Sequence, residues 1–205
     1  MKTKLFTKED ISEIASIIKK GGVIAFPTDT VYGLGIRYDQ IKTVNRLKKV
    51  KQRPETKPFP MMVSNIQQIE EVAKLDEKQR YLINRWMPGA ITMVFMKRKE
   101  VADYVTNGMD TIAIRMADDA FVLTIIKEVG KPLLVPSANI SFIPPSTNYQ
   151  GVLDQLDGMI DGVVMGECKA NMPSTIIDLT GEDIKVLREG PISIDLIKES
   201  LQELK

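Results

Sequence analysis

Val23-Ile24-Ala25-Phe26 is an apolar run of four residues, closed by Gly21-Gly22 on one side and Pro27-Thr28-Asp29-Thr30 on the other. So short a run between turn residues reads as a strand buried on both faces, and such a strand needs a layer above and below it. Similar runs occupy 59–63, 90–96, 111–115, 132–136, 159–165, 174–179 and 184–187. Between them lie stripes at helical spacing: Ile11, Ile14, Ala15 and Ile18; Ile41, Val44 and Leu47; Ile66, Ile69 and Val72; and Phe121, Val122, Ile125, Ile126 and Val129. Two further helices are expected after Asp76, running to Trp86, and after Ser193. Strands and helices mix without strict alternation. That predicts an α/β fold, one domain over 1–205 around an open, twisted, mixed sheet with flanking helices. Thr7 with Asp10, Ser64 with Gln67, Asp76 and Ser193 read as N-terminal caps. The segment 27–35 and Pro88-Gly89 read as turns.

Composition narrows the chemistry. The chain has no histidine and one cysteine, Cys168. Histidine-based triads, histidine general bases and most transition-metal sites are therefore excluded, and no intrachain disulfide can form. Cys168 reads as packing. No apolar run is long enough to span a bilayer, and the first ten residues lack a signal-peptide core, so a cytoplasmic location is expected.

The charge is uneven. Residues 42–57 hold seven Lys or Arg against one Glu, a local +6 in a chain whose net charge is +1. Within that window, Lys48-Lys-Val-Lys-Gln-Arg-Pro-Glu-Thr-Lys57 reads as a basic loop, because Pro54 and Pro58 interrupt any helix face. A concentrated positive loop on a balanced chain suggests a localised anion site more than a broad nucleic-acid surface. No P-loop and no Gly-x-Gly-x-x-Gly fingerprint is present, so any nucleotide must be held otherwise.

Open α/β sheets bind ligands beyond the carboxyl ends of their strands. Thr28, Asp29 and Thr30 follow the first buried run, Arg115 closes another, and Ser137 and Asn139 follow a third. Together with the basic loop they suggest one polar, anion-binding cleft.

Lys51-x-Arg53 followed by Ser137-x-Asn139 resembles the paired signature of the YrdC/TsaC family of threonylcarbamoyl-AMP synthases. Supporting segments occur in the right order: Gly22-Val-Ile-Ala-Phe-Pro-Thr-Asp-Thr-Val-Tyr-Gly-Leu-Gly35, Pro88-Gly-Ala-Ile-Thr92, Thr111-Ile-Ala-Ile-Arg115, Pro136-Ser-Ala-Asn139, Ser174-Thr-Ile-Ile-Asp178 and Val186-Leu-Arg188. The resemblance covers about residues 10 to 195, without the extra C-terminal domain of longer members. It implies a YrdC-like domain with a positive concave cleft. It implies ATP, L-threonine and bicarbonate as substrates, and threonylcarbamoyl-AMP and pyrophosphate as products, for threonylcarbamoyladenosine modification of tRNA. Thr30, Arg115, Ser137 and Ser174 would hold threonine. Arg53, Lys57, Thr111, Asn139, Thr147 and Arg188 would hold ATP, with Lys51 and Arg53 catalytic at the phosphates and magnesium accompanying them. Contact with tRNA or double-stranded RNA, and with the proteins that transfer the threonylcarbamoyl group, is implied as well. Two positions depart from the pattern. Met62 stands about where longer members carry a histidine, and Met116-Ala-Asp-Asp119 replaces a segment often containing Pro and His.

The implied reaction suits a chain without histidine. Threonine's amine and bicarbonate give a carbamate, already an anionic oxygen nucleophile, which attacks the α-phosphorus. Positioning and neutralisation of phosphate charge remain to be supplied, by Lys51, Arg53 and Lys57. A guanidinium at Arg115 can pair with a carboxylate in bidentate fashion, and hydroxyls from Thr30 or Ser174 can read the substrate hydroxyl. Substitution of Lys51 or Arg53 by Ala is expected to stop turnover and leave folding intact, since exposed charges contribute little stability. The 140–147 loop, with Pro144-Pro145, is expected at the mouth of the cleft as a lid. Two other readings fit the same residues: an RNA-binding module built on the 42–57 patch, and a paralogue that binds nucleotide with a different acceptor.

Overall fold

The computed structural model describes residues 2–52, 57–169 and 172–203. In chain order the elements are β1 (Lys4–Phe6), α1 (Ile11–Lys19), β2 (Ile24–Phe26), β3 (Gly33–Arg37), α2 (Ile41–Lys51), β4 (Met61–Met62), α3 (Ile66–Val72), α4 (Glu77–Trp86) and β5 (Ile91–Met96). There follow α5 (Asp103–Thr106), β6 (Thr111–Arg115), α6 (Ala120–Val129), β7 (Leu133–Leu134), α7 (Tyr149–Leu156), β8 (Gly162–Val164), β9 (Thr175–Asp178), β10 (Lys185–Arg188) and α8 (Ile194–Gln202). The strands form one open sheet in the order β1-β8-β2-β3-β7-β4-β6-β5-β9-β10. Four neighbouring pairs are parallel and five antiparallel, so the sheet is mixed as expected.

Alternation along the strands divides the core into two layers. Val23 and Ala25 belong to a large apolar cluster with Val44 and Leu47 of α2, Ile69 of α3, Leu82 of α4 and Val152 of α7. Ile24 and Phe26 point the other way, into a smaller cluster with Ile14 and Ile18 of α1 and Phe121, Val122 and Ile125 of α6. Leu134 and Leu133, and Val163 and Val164, split in the same manner. The β5 and β6 residues Ile91, Met93, Phe95, Ile112 and Ile114 all face the larger cluster. Their alternates Thr92, Val94, Ala113 and Arg115 lie on the opposite face, where neither cluster claims them. That uncovered half of a sheet face positions the site.

Several local expectations change. Residues 27–35 are not one turn, because Gly33–Arg37 is strand β3, pairing antiparallel with β2 and β7. Its glycines hid it. A Cβ on Gly33 would lie 2.5 Å from Val135 Cγ1, and one on Gly35 would lie 2.4 Å from the Phe26 ring, so both strand positions must be bare. Helix α1 is entered at Asp10, whose carboxylate accepts from Thr7 N–H at 2.7 Å and Thr7 Oγ1 at 2.9 Å. The cap of α3 is Asn65, which accepts from Gln68 N–H at 2.9 Å, one residue beyond the expected Ser64 and Gln67. Asp76 and Gln79 form a reciprocal capping box at α4, and Gly130 closes α6 at φ 76°. Strand β1, the short helix α5 and helix α7 carry patterns too brief or too polar to stand out.

Candidate functional site

Above the uncovered half of the sheet lies a cavity of about 370 Å³, within the range typical of small-molecule sites. Its floor is the sheet. Met62 pairs in register with Arg115, Val94 with Ala113, and Thr92 with Ile176, so Met62, Arg115, Ala113, Thr92 and Ile176 share one face. Its walls are loops and strand ends. The β2–β3 turn contributes Thr28, Thr30, Val31 and Tyr32, and the segment after β7 contributes Pro136 and Ser137. Ser174 precedes β9, and Arg188 ends β10.

The β2–β3 turn holds itself in place. Thr28 Oγ1 donates to Val31 C=O at 2.8 Å and accepts from Thr30 N–H at 3.1 Å, which fixes Thr30 at the wall. Tyr32 OH reaches the carbonyls of Val164 at 3.0 Å and Gly166 at 2.8 Å, tying the turn to β8; burial pushes this phenol up.

Arg115 is buried, 5% exposed, and donates three ways: Nη1 to Thr30 Oγ1 at 2.7 Å, Nη2 to Asp29 Oδ1 at 2.5 Å and Nε to Gly89 C=O at 3.3 Å. Burial holds its pKa below the ordinary arginine range, opposed by the charge of Asp29. Across the cavity, Arg188 donates to Ser174 C=O through Nε at 2.9 Å and Nη2 at 2.8 Å, and Ser174 Oγ lies 2.8 Å from Thr92 Oγ1. Arg188 is lowered too, first by burial and then by the charge of Arg115. Among the described residues the cavity wall thus carries two guanidiniums and no carboxylate, a donor set for anions.

The expected site residues divide. Thr30, Arg115, Ser137, Ser174 and Arg188 line the cavity. Lys51 and Asn139 lie behind the wall. Lys51 ends α2 rather than standing in a loop, and it is 1% exposed. Its ammonium donates to Ser137 C=O at 2.6 Å, Asn139 C=O at 2.8 Å and Asn139 Oδ1 at 3.1 Å. The expectation that Lys51 is an exposed charge whose removal spares folding is therefore corrected. An ammonium carries three N–H groups, and buried carbonyls would lose their donor without it. Asn139 is equally engaged, accepting from Ser137 Oγ at 2.5 Å and donating through Nδ2 to the carbonyls of Ile140 and Ile143. Lys57 is exposed, immediately before Pro58 of the wall. Thr111 starts β6 on the face of Ala113 and Arg115 but beyond the cavity, and the Thr147 carbonyl accepts from Cys168 N–H at 2.7 Å. Arg53 lies outside the described residues.

The 140–147 loop sits at the mouth as expected. Pro145 lines the cavity, Ser146 C=O accepts from Tyr32 N–H at 3.1 Å, and Phe142 is 86% exposed at φ 74°. Cys168 packs, half-buried, against the larger apolar cluster. Met62, in the place of the longer members' histidine, lines the floor beside Arg115. One contributor to the site, Thr92, is missing from the expected set, and another, Asp29, is in the expected cleft without its role. Thr92 was hidden in an apolar strand, although a lone hydroxyl alternating with Ile91 and Met93 was the available signal. Asp29 was visible at a strand end, but no pattern connected it to Arg115, 86 positions away.

Comparison with known proteins agrees with this architecture. The Sua5/YciO/YrdC family model, described as telomere recombination, matches residues 16–190. Threonylcarbamoyl-AMP synthase of Pyrococcus abyssi is 34% identical over 193 residues, covering 93% of this chain and 57% of that protein. Threonylcarbamoyl-AMP synthase of Bacillus subtilis is 35% identical over 191 residues, covering 92% of this chain and 55% of that protein. The chain therefore spans a little over half the length of these curated relatives. The crystal structure of P. abyssi Sua5 complexed with L-threonine superposes with a TM-score of 0.93 at 33% identity, covering 98% of this chain and 62% of that one.

Proposed function

The chain belongs to the Sua5/YciO/YrdC family, and on that premise we propose that it is a threonylcarbamoyl-AMP synthase. It joins L-threonine, bicarbonate and ATP, with loss of water and pyrophosphate. The observation that carries this reading is convergence. Thr30, Arg115, Ser137, Ser174 and Arg188, spread over more than 150 positions, meet at one cavity of about 370 Å³. All four residues expected to hold threonine are among them. The names of the curated relatives, and the threonine complex of P. abyssi Sua5, support the same substrate.

In this proposal the Arg115 guanidinium takes the threonine carboxylate, and the hydroxyls of Thr30, Ser137 and Ser174 orient the rest of the amino acid. The carbamate oxygen attacks the α-phosphorus, the bond to the β-phosphate oxygen breaks, and pyrophosphate leaves with its electron pair. Arg188 at the wall, with Lys57 next to Pro58 of the wall, neutralises phosphate charge. Lys51 contributes by holding the Ser137–Asn139 turn. Among the described residues no carboxylate lines the cavity, and there is no cluster of three or more His, Cys, Asp or Glu suited to a metal. Magnesium is accordingly proposed as a companion of the nucleotide phosphates, and no step is routed through a protein-held ion. Contact with tRNA and transfer to partner proteins belong to the same proposal, with the exposed Lys42 and Lys49 of α2 as the basic surface. Among the described residues no helix is long and apolar enough to cross a membrane.

The test is direct. The chain incubated with ATP, L-threonine and bicarbonate should yield threonylcarbamoyl-AMP by mass spectrometry, with pyrophosphate in equal amount. ATP cleavage that is independent of threonine and yields no such adduct would refute the assignment.

A further inference from the structure

Arg115 has more partners than anion binding alone requires. A guanidinium carries five N–H groups. Three of them go to three separate acceptors: the carbonyl of Gly89, the hydroxyl of Thr30 and the carboxylate of Asp29. One N–H on each terminal nitrogen has no acceptor among the described residues. Asp29 looks at first like a competitor for any anionic ligand. Its position says otherwise. Its side chain is 13% exposed and lies off the cavity wall. Its second oxygen accepts from Asp118 N–H at 3.2 Å, in the segment between β6 and α6. A carboxylate held at both oxygens is fixed between two loops and does not swing into the cavity.

We infer that Asp29 is a positioning residue, which acts through Arg115 by fixing the plane in which the guanidinium meets the carboxylate of the amino-acid substrate. This rests on the amino-acid-binding reading above. Gly89 and Thr30 hold two corners of the guanidinium; Asp29 holds the third and is the only charged partner of the three. Charge-assisted bonds are the strong ones, so it dominates the orientation. A ligand group misplaced by about 1 Å can lose about 100-fold in effectiveness. A guanidinium free to rotate about Nε–Cζ would offer its remaining donors to anions of any shape.

The full chain labelled with ¹⁵N-arginine provides the first readout, with Arg115 assigned by the signal lost in Arg115→Lys. The wild type should show separately resolved Nη–H resonances for Arg115, the signature of hindered rotation, and Asp29→Asn should merge them. Titration calorimetry provides the second: L-threonine should bind Asp29→Asn up to about 100-fold more weakly, while adenine-nucleotide affinity holds. If Asp29→Asn fails to fold, Asp29→Glu keeps the charge, displaces the plane by one methylene and is read in the same two ways. Resolved Arg115 resonances in a folded Asn variant overturn the inference. So do merged resonances with unchanged threonine affinity, and so does a parallel loss of threonine and nucleotide binding, which marks general damage. A wild-type chain that binds no threonine overturns the functional reading, while the resonances still report whether Asp29 holds Arg115.

Discussion

One face of the sheet is finished in two ways. Over β1, β8, β2 and β7, helices α1 and α6 close it with Ile14, Ile18, Phe121, Val122 and Ile125 against Phe6, Ile24, Phe26 and Val164. Over β6, β5 and β9 the same face carries Arg115, Ala113, Thr92 and Ile176 and opens into the cavity. The covered half gains its stability from apolar area removed from water. The open half satisfies its polar groups against one another instead: Thr92 with Ser174, Arg188 with Ser174, and Arg115 with Thr30 and Asp29. A face can therefore stay open to a ligand with each of these polar side chains partnered, while Arg115 keeps two N–H groups to offer. Lys51 stands at the border, buried like the core and charged like the site.

Substitutions can test whether the two halves are separable. The largest effect is expected in the covered half. Phe26 is fully buried and meets Phe121 edge-on at 6.4 Å between ring centres. Phe26→Ala should cost about 3–5 kcal/mol in denaturant unfolding, with turnover per folded molecule unchanged. A specific loss of turnover would show that the halves are coupled. The mirror experiment is Arg188→Ala at the rim of the open half. Turnover should fall about 10²–10³-fold, and stability should fall by only about 0.5–1.5 kcal/mol, because the residue as a whole is exposed and only its guanidinium is partly buried in bonds to Ser174. A large drop in melting temperature with intact turnover would give Arg188 to the scaffold. The smallest and sharpest test is Lys51→Met, which keeps the volume and removes the charge. It should destabilise by about 1.5–3 kcal/mol and lower turnover as well, since Ser137 loses its anchor. Turnover lost at full stability would return Lys51 to direct phosphate contact.

Much of this was legible in the chain, and the reason is local. β6 was expected at 111–115 and is found at Thr111–Arg115, because alternation along one strand needs no neighbour to be read. Gly130, Asp76 and Ser193 marked helix ends through their own backbone or side-chain chemistry. Arg115 and Ser137 stood out as polar residues at strand ends, and both line the cavity. What failed was non-local. Strand β3 was invisible because its glycines are demanded by Val135 and by Phe26 across the sheet. Asp29 gained its importance only from a guanidinium delivered by another strand.

The lysine at the end of α2 marks the division most clearly. The sequence by itself determined the types of the strongly patterned elements, the exclusion of histidine chemistry and the concentration of positive charge at 42–57, because composition and periodicity are properties of the chain alone. Whether each of those charges faces water was decided by the tertiary structure. Lys51 is buried because the turn after β7, 86 and 88 positions further on, brings two carbonyls and an amide oxygen to its ammonium. Burying a charge is favourable only where acceptors meet it, and which acceptors meet it depends on strand order, which hydrophobic periodicity does not encode.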